Sequence, residues 1–153
     1  MIIGTLCYIN NGFETLMLHR VKKKNDMHKG KWNGLGGKLM NGESPEECVK
    51  REVFEESGLL IFKPKLKGII TFPKFDEVDD WIVFVFKSKE FSGSLTDCEE
   101  GNLKWIPNDE LLKLNLWDGD KIFMKWLEGH PFFSAVFRYN NKKLESHEVI
   151  FYK

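Results

Sequence analysis

Residues 33–59 read NGLGGKLMNGESPEECVKREVFEESGL, a glycine-rich loop that runs into a helical pattern. The side chain of Ser44 can accept a hydrogen bond from the backbone amide of Glu47, whose side chain can bond back to Ser44 in a capping box. Gly58 is typical of the left-handed residue that ends a helix. The stretch therefore predicts an ordered loop followed by a helix over residues 45–57.

Three glutamates of this helix, Glu52, Glu55 and Glu56, occupy positions i, i+3 and i+4 and share one face. Each pair of like charges costs about 0.2–0.5 kcal/mol on a solvated helix. A divalent cation reverses that cost, and an oxygen-rich cluster suits Mg²⁺ or Mn²⁺. The glutamates alone leave two interpretations open, a metal site and a solvated acidic face.

The residues around these glutamates follow a fixed spacing. They are Gly37, Glu43, Arg51-Glu52-Val53, Glu55-Glu56 and Gly58-Leu59. A chance match to such a pattern in a chain of this length is on the order of one in a million. Residues 37–59 resemble the complete Nudix box, and this resemblance favours the metal site over the solvated face.

The resemblance also implies which residues bind the metal. The implied ligands of Mg²⁺, or of Mn²⁺ as a substitute, are the Gly36 carbonyl, Glu52, Glu55, Glu56 and Glu100. The four glutamates also form the implied catalytic set. Glu100 lies in a later loop and is implied to be an added ligand or the general base, with Glu99 as its competitor. The sequence leaves open which acid takes the proton.

The other residues of the box are expected to support this site. Gly36 and Gly37 let the backbone approach a metal and a phosphate closely, because neither has a Cβ. Glu43 and Arg51 are expected to be structural, with the planar fork of Arg51 holding carboxylates in place. A Walker loop is excluded, because no Gly-Lys pair of the loop is followed by Ser or Thr.

Similarity beyond the box points to one branch of the family, the MutT-type enzymes that hydrolyse oxidised purine nucleoside triphosphates. Residues 31–38, KWNGLGGK, look like the approach to the box in that branch, in which the Asn contacts the base. Residues 117–120, WDGD, resemble a Trp-Pro-Asp-Asp segment whose Trp stacks on the purine while its acids contact the base edge. Trp117 and Asp120 match this segment, but Gly119 stands where its first Asp is expected.

This branch implies a set of substrate-binding residues. They are Lys23, Asn33, Leu35, Gly36, Gly37, Lys38, Phe72, Trp81, Trp117, Asp118 and Asp120. For the basic residue directed at the phosphates, Lys23 is preferred over Arg20, and a solvated charge is the alternative.

Several members of this set have a purely structural alternative. Trp117 can be a core aromatic residue, and Asp118 or Asp120 can cap a helix. Phe72 and Trp81 are residues that core strands would also contain.

Apolar runs outside the box alternate with turn residues. The expected strands are residues 2–9, 15–19, 66–72, 81–87, 104–106, 133–139 and 149–152, and helical patterns cover residues 108–114 and 119–127. This order predicts an α+β fold with a mixed sheet, and the resemblance implies the Nudix fold, in which the sheet is sandwiched between helices (α/β/α).

Composition limits the class of protein. A chain of 153 residues, 42% hydrophobic and 30% charged, suits a single globular domain over residues 1–153. Its 23 basic and 23 acidic residues balance, so no global charge favours nucleic acid or a membrane as a partner. The three distant cysteines are expected to be reduced thiols, and no apolar run reaches the roughly 20 residues of a membrane-spanning helix. We expect a cytoplasmic monomer with a small-molecule substrate.

The implied reaction is hydrolysis of 8-oxo-dGTP, or a related purine dNTP, to the monophosphate and pyrophosphate, which sanitises the nucleotide pool. Water attacks the phosphate chain in line, and two or three Mg²⁺ ions lower its pKa and neutralise charge. If Asp120 is mostly ionised, guanine-like edges should be preferred over 2-oxo-dATP.

Two alternative functions stay open. One is a Nudix hydrolase of another substrate, such as a dinucleoside polyphosphate or ADP-ribose. The other is a non-catalytic module that binds a nucleotide, which the intact glutamates count against.

Overall fold

A mixed sheet of eight strands forms the centre of the structure, a computed structural model that describes residues 1–153. The strands of the protein are β1 (Ile2–Asn10), β2 (Glu14–His19), β3 (Trp32–Asn33), β4 (Leu60–Phe62), β5 (Lys65–Phe72), β6 (Trp81–Ser88), β7 (Glu90–Ser92), β8 (Asn102–Pro107), β9 (Phe132–Asn140) and β10 (Lys143–Tyr152). The sheet order is β10-β9-β5-β6-β1-β2-β3, and β8 also pairs with β2. β1 runs parallel to β6, and β5 runs parallel to β9. β4 and β7 form a separate two-stranded sheet.

The predicted helix is confirmed as α1 (Pro45–Ser57). The Ser44 side chain accepts from the backbone N–H of Glu47, and the Glu47 side chain accepts from the backbone N–H of Ser44. Gly58 ends the helix with φ 81°, in the left-handed region that glycine adopts without strain. Local signals in the sequence therefore account for both ends of α1.

The other helices are short. α2 (Asp118–Phe123) continues into a 3-10 helix at Met124–Trp126, and another 3-10 helix covers Asn108–Lys113. They lie where the helical patterns over residues 108–114 and 119–127 were expected. None of the helices combines the length and the apolar composition that crossing a membrane would require.

Helices cover both faces of the mixed sheet, so the predicted α+β fold with an α/β/α arrangement is confirmed. Cys7 and Ile9 of β1 point to one face, where they pack in a cluster with Val53 of α1. Tyr8, which lies between them, points to the opposite face and packs with Phe123 of α2. This alternation along one strand supplies the core on each side of the sheet.

The extent of β10 differs from the prediction, which covered residues 149–152 alone. β10 begins at Lys143, and its residues 145–148, ESHE, are exposed polar side chains at the sheet edge. This segment is a strand because it pairs with β9. The continuous register begins with Ser146 opposite Arg138. The short strands β3, β4 and β7 are likewise missing from the prediction, because pairing partners rather than apolar patterns define them.

Candidate active site

A cleft of about 740 Å³ lies against β1 and the glycine loop. Its walls come from β1, residues 20–38, α1, and one end of the β5–β6 pair. At that end β5 finishes at Phe72 and β6 begins at Trp81. Glu52 and Glu56 of α1 line one part of it, and aromatic residues line another. The pairing of β1 with β6 and of β6 with β5 brings these distant segments together.

The glycine loop is bound closely to β1 and α1. The backbone N–H of Thr5 donates to the Gly37 carbonyl at 2.8 Å, and the N–H of Gly36 donates to Oε1 of Glu56 at 2.8 Å. A Cβ at Gly36 would collide with the Thr5 carbonyl. A Cβ at Gly37 would lie 2.5 Å and 2.7 Å from the two carboxylate oxygens of Glu52. The lack of side chains therefore lets the loop lie directly against the helix carboxylates.

Arg51 joins the parts of the box through its planar fork. Its Nε and Nη2 donate to the two oxygens of Glu43 at 2.6 Å and 3.0 Å, and this contact lowers the pKa of Glu43 to about 2. Its Nη1 donates to Glu52 at 2.7 Å and to Glu55 at 3.3 Å, and its Nη2 also donates to the Lys38 carbonyl at 3.1 Å. The structural role expected for Glu43 and Arg51 agrees with this network.

Glu56, Cys98 and Glu100 bring possible ligand atoms within 4.8 Å of one another. Glu56 is 8% exposed, and its pKa is raised by burial and then by the charge of Glu100. Two carboxylates that meet in a buried place repel each other unless a cation compensates them. Oxygen donors on a rigid loop and helix are the ligands that hard divalent cations prefer. The residues present therefore fit a divalent metal.

Two basic residues orient Glu100. Arg20 Nη1 lies 3.6 Å from Oε2 of Glu100, and Lys23 Nζ lies 3.7 Å from Oε1. Arg20 is itself held by Asp26, whose Oδ2 accepts from its Nε at 2.8 Å. Glu99 is exposed and does not line the cleft, whereas Glu100 does. The position of Glu100 therefore favours it over Glu99 as the additional acid of the site. Arg20 and Lys23 line the cleft as well.

Aromatic rings enclose the part of the cleft nearest α2. Trp117 is only 4% exposed, and the ring centroids of Phe75 and Tyr139 lie 4.9 Å and 5.7 Å from its own. Phe72 lies 5.4 Å from Phe75. Rings arranged in this way form apolar walls that suit a planar aromatic ligand. We call these four residues the ring box.

Polar groups without protein partners line the same cleft as the ring box. Asn33 Oδ1 is buried there and has no hydrogen-bond partner, whereas the equally unpaired Tyr8 hydroxyl lies in the core and not in the cleft lining. Asp120 is 9% exposed and lines the cleft, and burial raises its pKa to about 7, although the charge of Lys31 opposes the rise. Burial of an unpaired polar group costs free energy, so such groups indicate a polar ligand edge.

The space at Gly119 explains why one acid of the expected pair is missing. The Tyr139 hydroxyl accepts from the backbone N–H of Gly119 at 2.6 Å, and a Cβ at this position would lie 2.7 Å from that hydroxyl. Asp118 does not replace the missing acid, because it is exposed and its Oδ2 accepts from the N–H of Leu144 at 3.4 Å. The segment therefore contributes one acid to the cleft, Asp120.

Most residues that the sequence predicts for the site do line the cleft. They are Lys23, Asn33, Gly36, Gly37, Lys38, Glu52, Glu56, Phe72, Trp81, Glu100, Trp117 and Asp120. Leu35 lies outside, fully buried in the cluster between the sheet and α1, and Asp118 faces β10. We therefore assign no substrate contact to Leu35 or Asp118. Glu55 is 56% exposed beside Arg51 and does not line the cleft, so its role as a ligand stays a prediction.

Three residues that frame Trp117 are absent from the site predicted from the sequence, namely His28, Phe75 and Tyr139. His28 lies in a charged loop, and Phe75 lies within the turn between β5 and β6, so neither belongs to an apolar period. Tyr139 could have been found, because it lies two residues after Phe137 on β9 and shares its face.

His28 orients the indole of Trp117. Its Nδ1 accepts from the Trp117 Nε1–H at 2.9 Å, and the two rings meet edge to face at 5.6 Å. Burial, followed by the charge of Arg20, lowers the pKa of His28 to about 4. The ring is therefore neutral at pH 7, and Nδ1 keeps the lone pair that the indole needs. His28 is a positioning residue for Trp117.

We expect His28→Phe to raise KM for the substrate about threefold to tenfold with a smaller change in kcat, because the buried indole N–H loses its acceptor. His28→Gln, which retains an acceptor, should restore most of the affinity. The parent should also lose stability as pH falls from 6.5 towards about 4, since its unfolded state binds the extra proton, and His28→Phe should lose less. Steady-state kinetics measure the change in KM, and thermal unfolding measures the change in stability with pH. Equal KM values in the parent, His28→Phe and His28→Gln would contradict the role of His28 in positioning Trp117.

Comparisons with known proteins extend the similarity over nearly the whole chain. Residues 2–127 match the family model of the NUDIX domain. An uncharacterised Nudix hydrolase of Bacillus subtilis is 30% identical over 140 residues, which cover 88% of this chain and 85% of that protein. An oxidized purine nucleoside triphosphate hydrolase of Danio rerio is 30% identical over 128 residues, which cover 84% of this chain and 79% of that protein.

A solved structure gives the same result for the fold. The crystal structure of a mutator MutT protein from Bacillus halodurans matches with a TM-score of 0.87 and 34% identity, over 97% of each chain. Nudix hydrolases generally use a divalent metal and act on small-molecule nucleotides, as the acidic cluster and the ring box would allow. Since the domain match, the relatives and the fold all agree with the box, the chain belongs to the Nudix hydrolase family and is a MutT-type enzyme.

Proposed function

We propose that this Nudix hydrolase is a Mg²⁺-dependent nucleoside triphosphate pyrophosphohydrolase that converts 8-oxo-dGTP, or a related purine dNTP, to the monophosphate and pyrophosphate. Its role would be to remove oxidised purines from the nucleotide pool. One observation carries the proposal: the unpaired Asn33 Oδ1 and the buried Asp120 lie beside the ring box, in the cleft that also holds the acidic cluster. A purine needs both walls and polar edges, which this arrangement offers.

The residues of the chain would act on opposite parts of the substrate. The ring box would hold the base, while Lys23 would contact the phosphate chain. Glu52, Glu56, Glu100 and the Gly36 carbonyl would hold Mg²⁺, with Glu55 as a further candidate. When bound, Mg²⁺ neutralises phosphate charge and lowers the pKa of the attacking water. The acids and the loop would thereby fix the geometry of in-line attack.

The protonation of Asp120 bears on which base is preferred. A carboxylate accepts from both N1–H and the exocyclic NH₂ of a guanine-like edge, whereas the protonated acid also donates. Because the pKa of Asp120 is raised to about 7, both forms are populated at neutral pH. We therefore expect the preference for 8-oxo-dGTP and dGTP over 2-oxo-dATP to increase as pH rises from 6 to 8.

We expect Asp120→Asn to lower kcat/KM for the guanine substrate roughly tenfold or more, equivalent to at least about 1.4 kcal/mol of recognition. The thermal stability of Asp120→Asn should instead be higher than that of the parent at neutral pH. A raised carboxyl pKa means that the parent loses stability as pH rises from 3.8 through about 7, and the amide removes this loss. The measurements are kcat/KM for the three nucleotides at pH 6 and pH 8, and thermal unfolding at the same pH values. A variant with parent-like kinetics would exclude Asp120 from base recognition.

A substrate panel tests the proposed reaction itself. Purified protein with Mg²⁺ is offered 8-oxo-dGTP, dGTP, 2-oxo-dATP, ADP-ribose and a dinucleoside polyphosphate, and the products are separated. We expect the highest kcat/KM for 8-oxo-dGTP, with monophosphate and pyrophosphate rather than orthophosphate as products. Faster turnover of ADP-ribose or of the dinucleotide would replace this substrate with the alternative. Nucleotide binding without turnover would identify a non-catalytic module.

A further inference from the structure

A second concave site lies at the opposite end of β5 and β6 from the active-site cleft. Five lysines, two glutamates and a histidine contribute to its lining: Lys63, Lys65, Lys67, Lys87, Lys89, Glu90, Glu128 and His130. We call this site the lysine pocket. It measures about 550 Å³. Along β5, five residue steps from Lys67 to Phe72 separate the lysine pocket from the cleft by roughly 17 Å.

The lysine pocket concentrates positive charge that the protein does not compensate. Five lysines face two glutamates, in a chain whose total charge is zero. Lys65 and Lys87 lie directly opposite each other across β5 and β6, and like charges in this register destabilise a sheet. Lys87 pairs with Glu128, but that glutamate is 67% exposed, so water screens the pair.

Lys67 is the one buried lysine of the lysine pocket. Its side chain lies at the irregular register of β5 between Leu66 and Gly68, and the residue is 7% exposed. Its Nζ donates to the neutral carbonyl of His130 at 3.2 Å. An ammonium group has three protons to donate, so this bond leaves donors for another acceptor. Burial and the charges of Lys65 and Lys87 lower the pKa of Lys67, which an anion in the pocket would offset.

We propose that the lysine pocket binds a small oligophosphate anion, of which pyrophosphate is the simplest. Lysine ammonium groups bind phosphate as point charges. A multivalent anion matches the surplus of three positive charges, whereas a monovalent anion would leave most of it uncompensated. Glu90 and Glu128 on the lining disfavour an extended nucleic acid backbone. The proposal does not depend on the substrate of the active site.

Isothermal titration of the intact protein with sodium pyrophosphate, in EDTA and at constant ionic strength, tests this site. We expect one binding site, with pyrophosphate bound more tightly than orthophosphate. Lys67→Met and Lys65→Gln should each weaken pyrophosphate binding at least about tenfold, because each removes a charged donor. Lys104→Gln, which changes an exposed lysine on β8, should bind like the parent. Lys23→Gln separates the lysine pocket from the active site and should also bind like the parent.

Lys67→Met should fold at least as well as the parent, since it replaces a buried ammonium with an apolar side chain of similar length. Unchanged nucleotide hydrolysis by this variant verifies the fold. Three results would overturn the proposal: no heat with pyrophosphate, equal affinity in Lys67→Met and the parent, or loss of binding in Lys23→Gln instead. Binding of a DNA duplex that pyrophosphate does not displace would point to nucleic acid and would also overturn it.

Discussion

We expect Glu56→Gln to lower kcat roughly 100-fold or more while the protein keeps its fold. Glu56 is a buried carboxylate beside Glu100, where a neutral amide would bind a divalent cation poorly. The amide oxygen can still accept the bond from the Gly36 N–H that fastens the glycine loop. Replacing a buried carboxyl group whose pKa is raised also removes the cost of burying it, so thermal stability should be equal or higher.

Steady-state hydrolysis across a Mg²⁺ titration, together with thermal unfolding, measures this effect. Glu46→Gln is the matched control, because Glu46 is an exposed residue of the same helix, and this variant should behave like the parent. Glu55→Gln, which the sequence predicts to be inactive as well, tests whether the exposed Glu55 reaches the metal. Near-full turnover by Glu56→Gln would remove Glu56 from the ligand set.

A methyl group at residue 37 should have the second-largest effect, and we expect Gly37→Ala to lower kcat/KM about 100-fold. Its Cβ would lie 2.5 Å and 2.7 Å from the carboxylate oxygens of Glu52, so the carboxylate has to move. Arg51, which donates to Glu52 at 2.7 Å, resists that movement. The backbone itself tolerates alanine, because Gly37 is not among the residues with positive φ. The obstacle is therefore the Glu52 carboxylate rather than the backbone conformation.

Comparison with Gly36→Ala separates an obstacle at the Glu52 carboxylate from an obstacle in the backbone. A Cβ at Gly36 meets the backbone of Thr5, so this variant should lose thermal stability. Gly37→Ala should instead unfold like the parent but require more Mg²⁺ for half-maximal rate. Thermal unfolding and Mg²⁺-dependent kinetics of both variants distinguish these outcomes. Parent-like kinetics of Gly37→Ala would mean that the position of Glu52 does not matter for turnover.

Short-range signals explain why the loop and helix of the box could be predicted. Ser44, Glu47 and Gly58 act within one or two helical turns, and the structure has each of them in its predicted role. The strands β3, β4 and β7 have no such signal, since their existence depends on partners elsewhere in the chain. Pairing with β9 likewise makes a strand of the polar residues 145–148, which carry no apolar alternation.

The sequence by itself determined the family, the helix that carries the glutamates and the glycine loop, because each depends on spacing within one continuous segment. Only the tertiary structure decided that Asp120 lines the cleft while Asp118 faces Leu144, because the two lie on different sides of α2. It also decided that Lys65 and Lys87 meet, because strand register brings together residues that are distant in the chain.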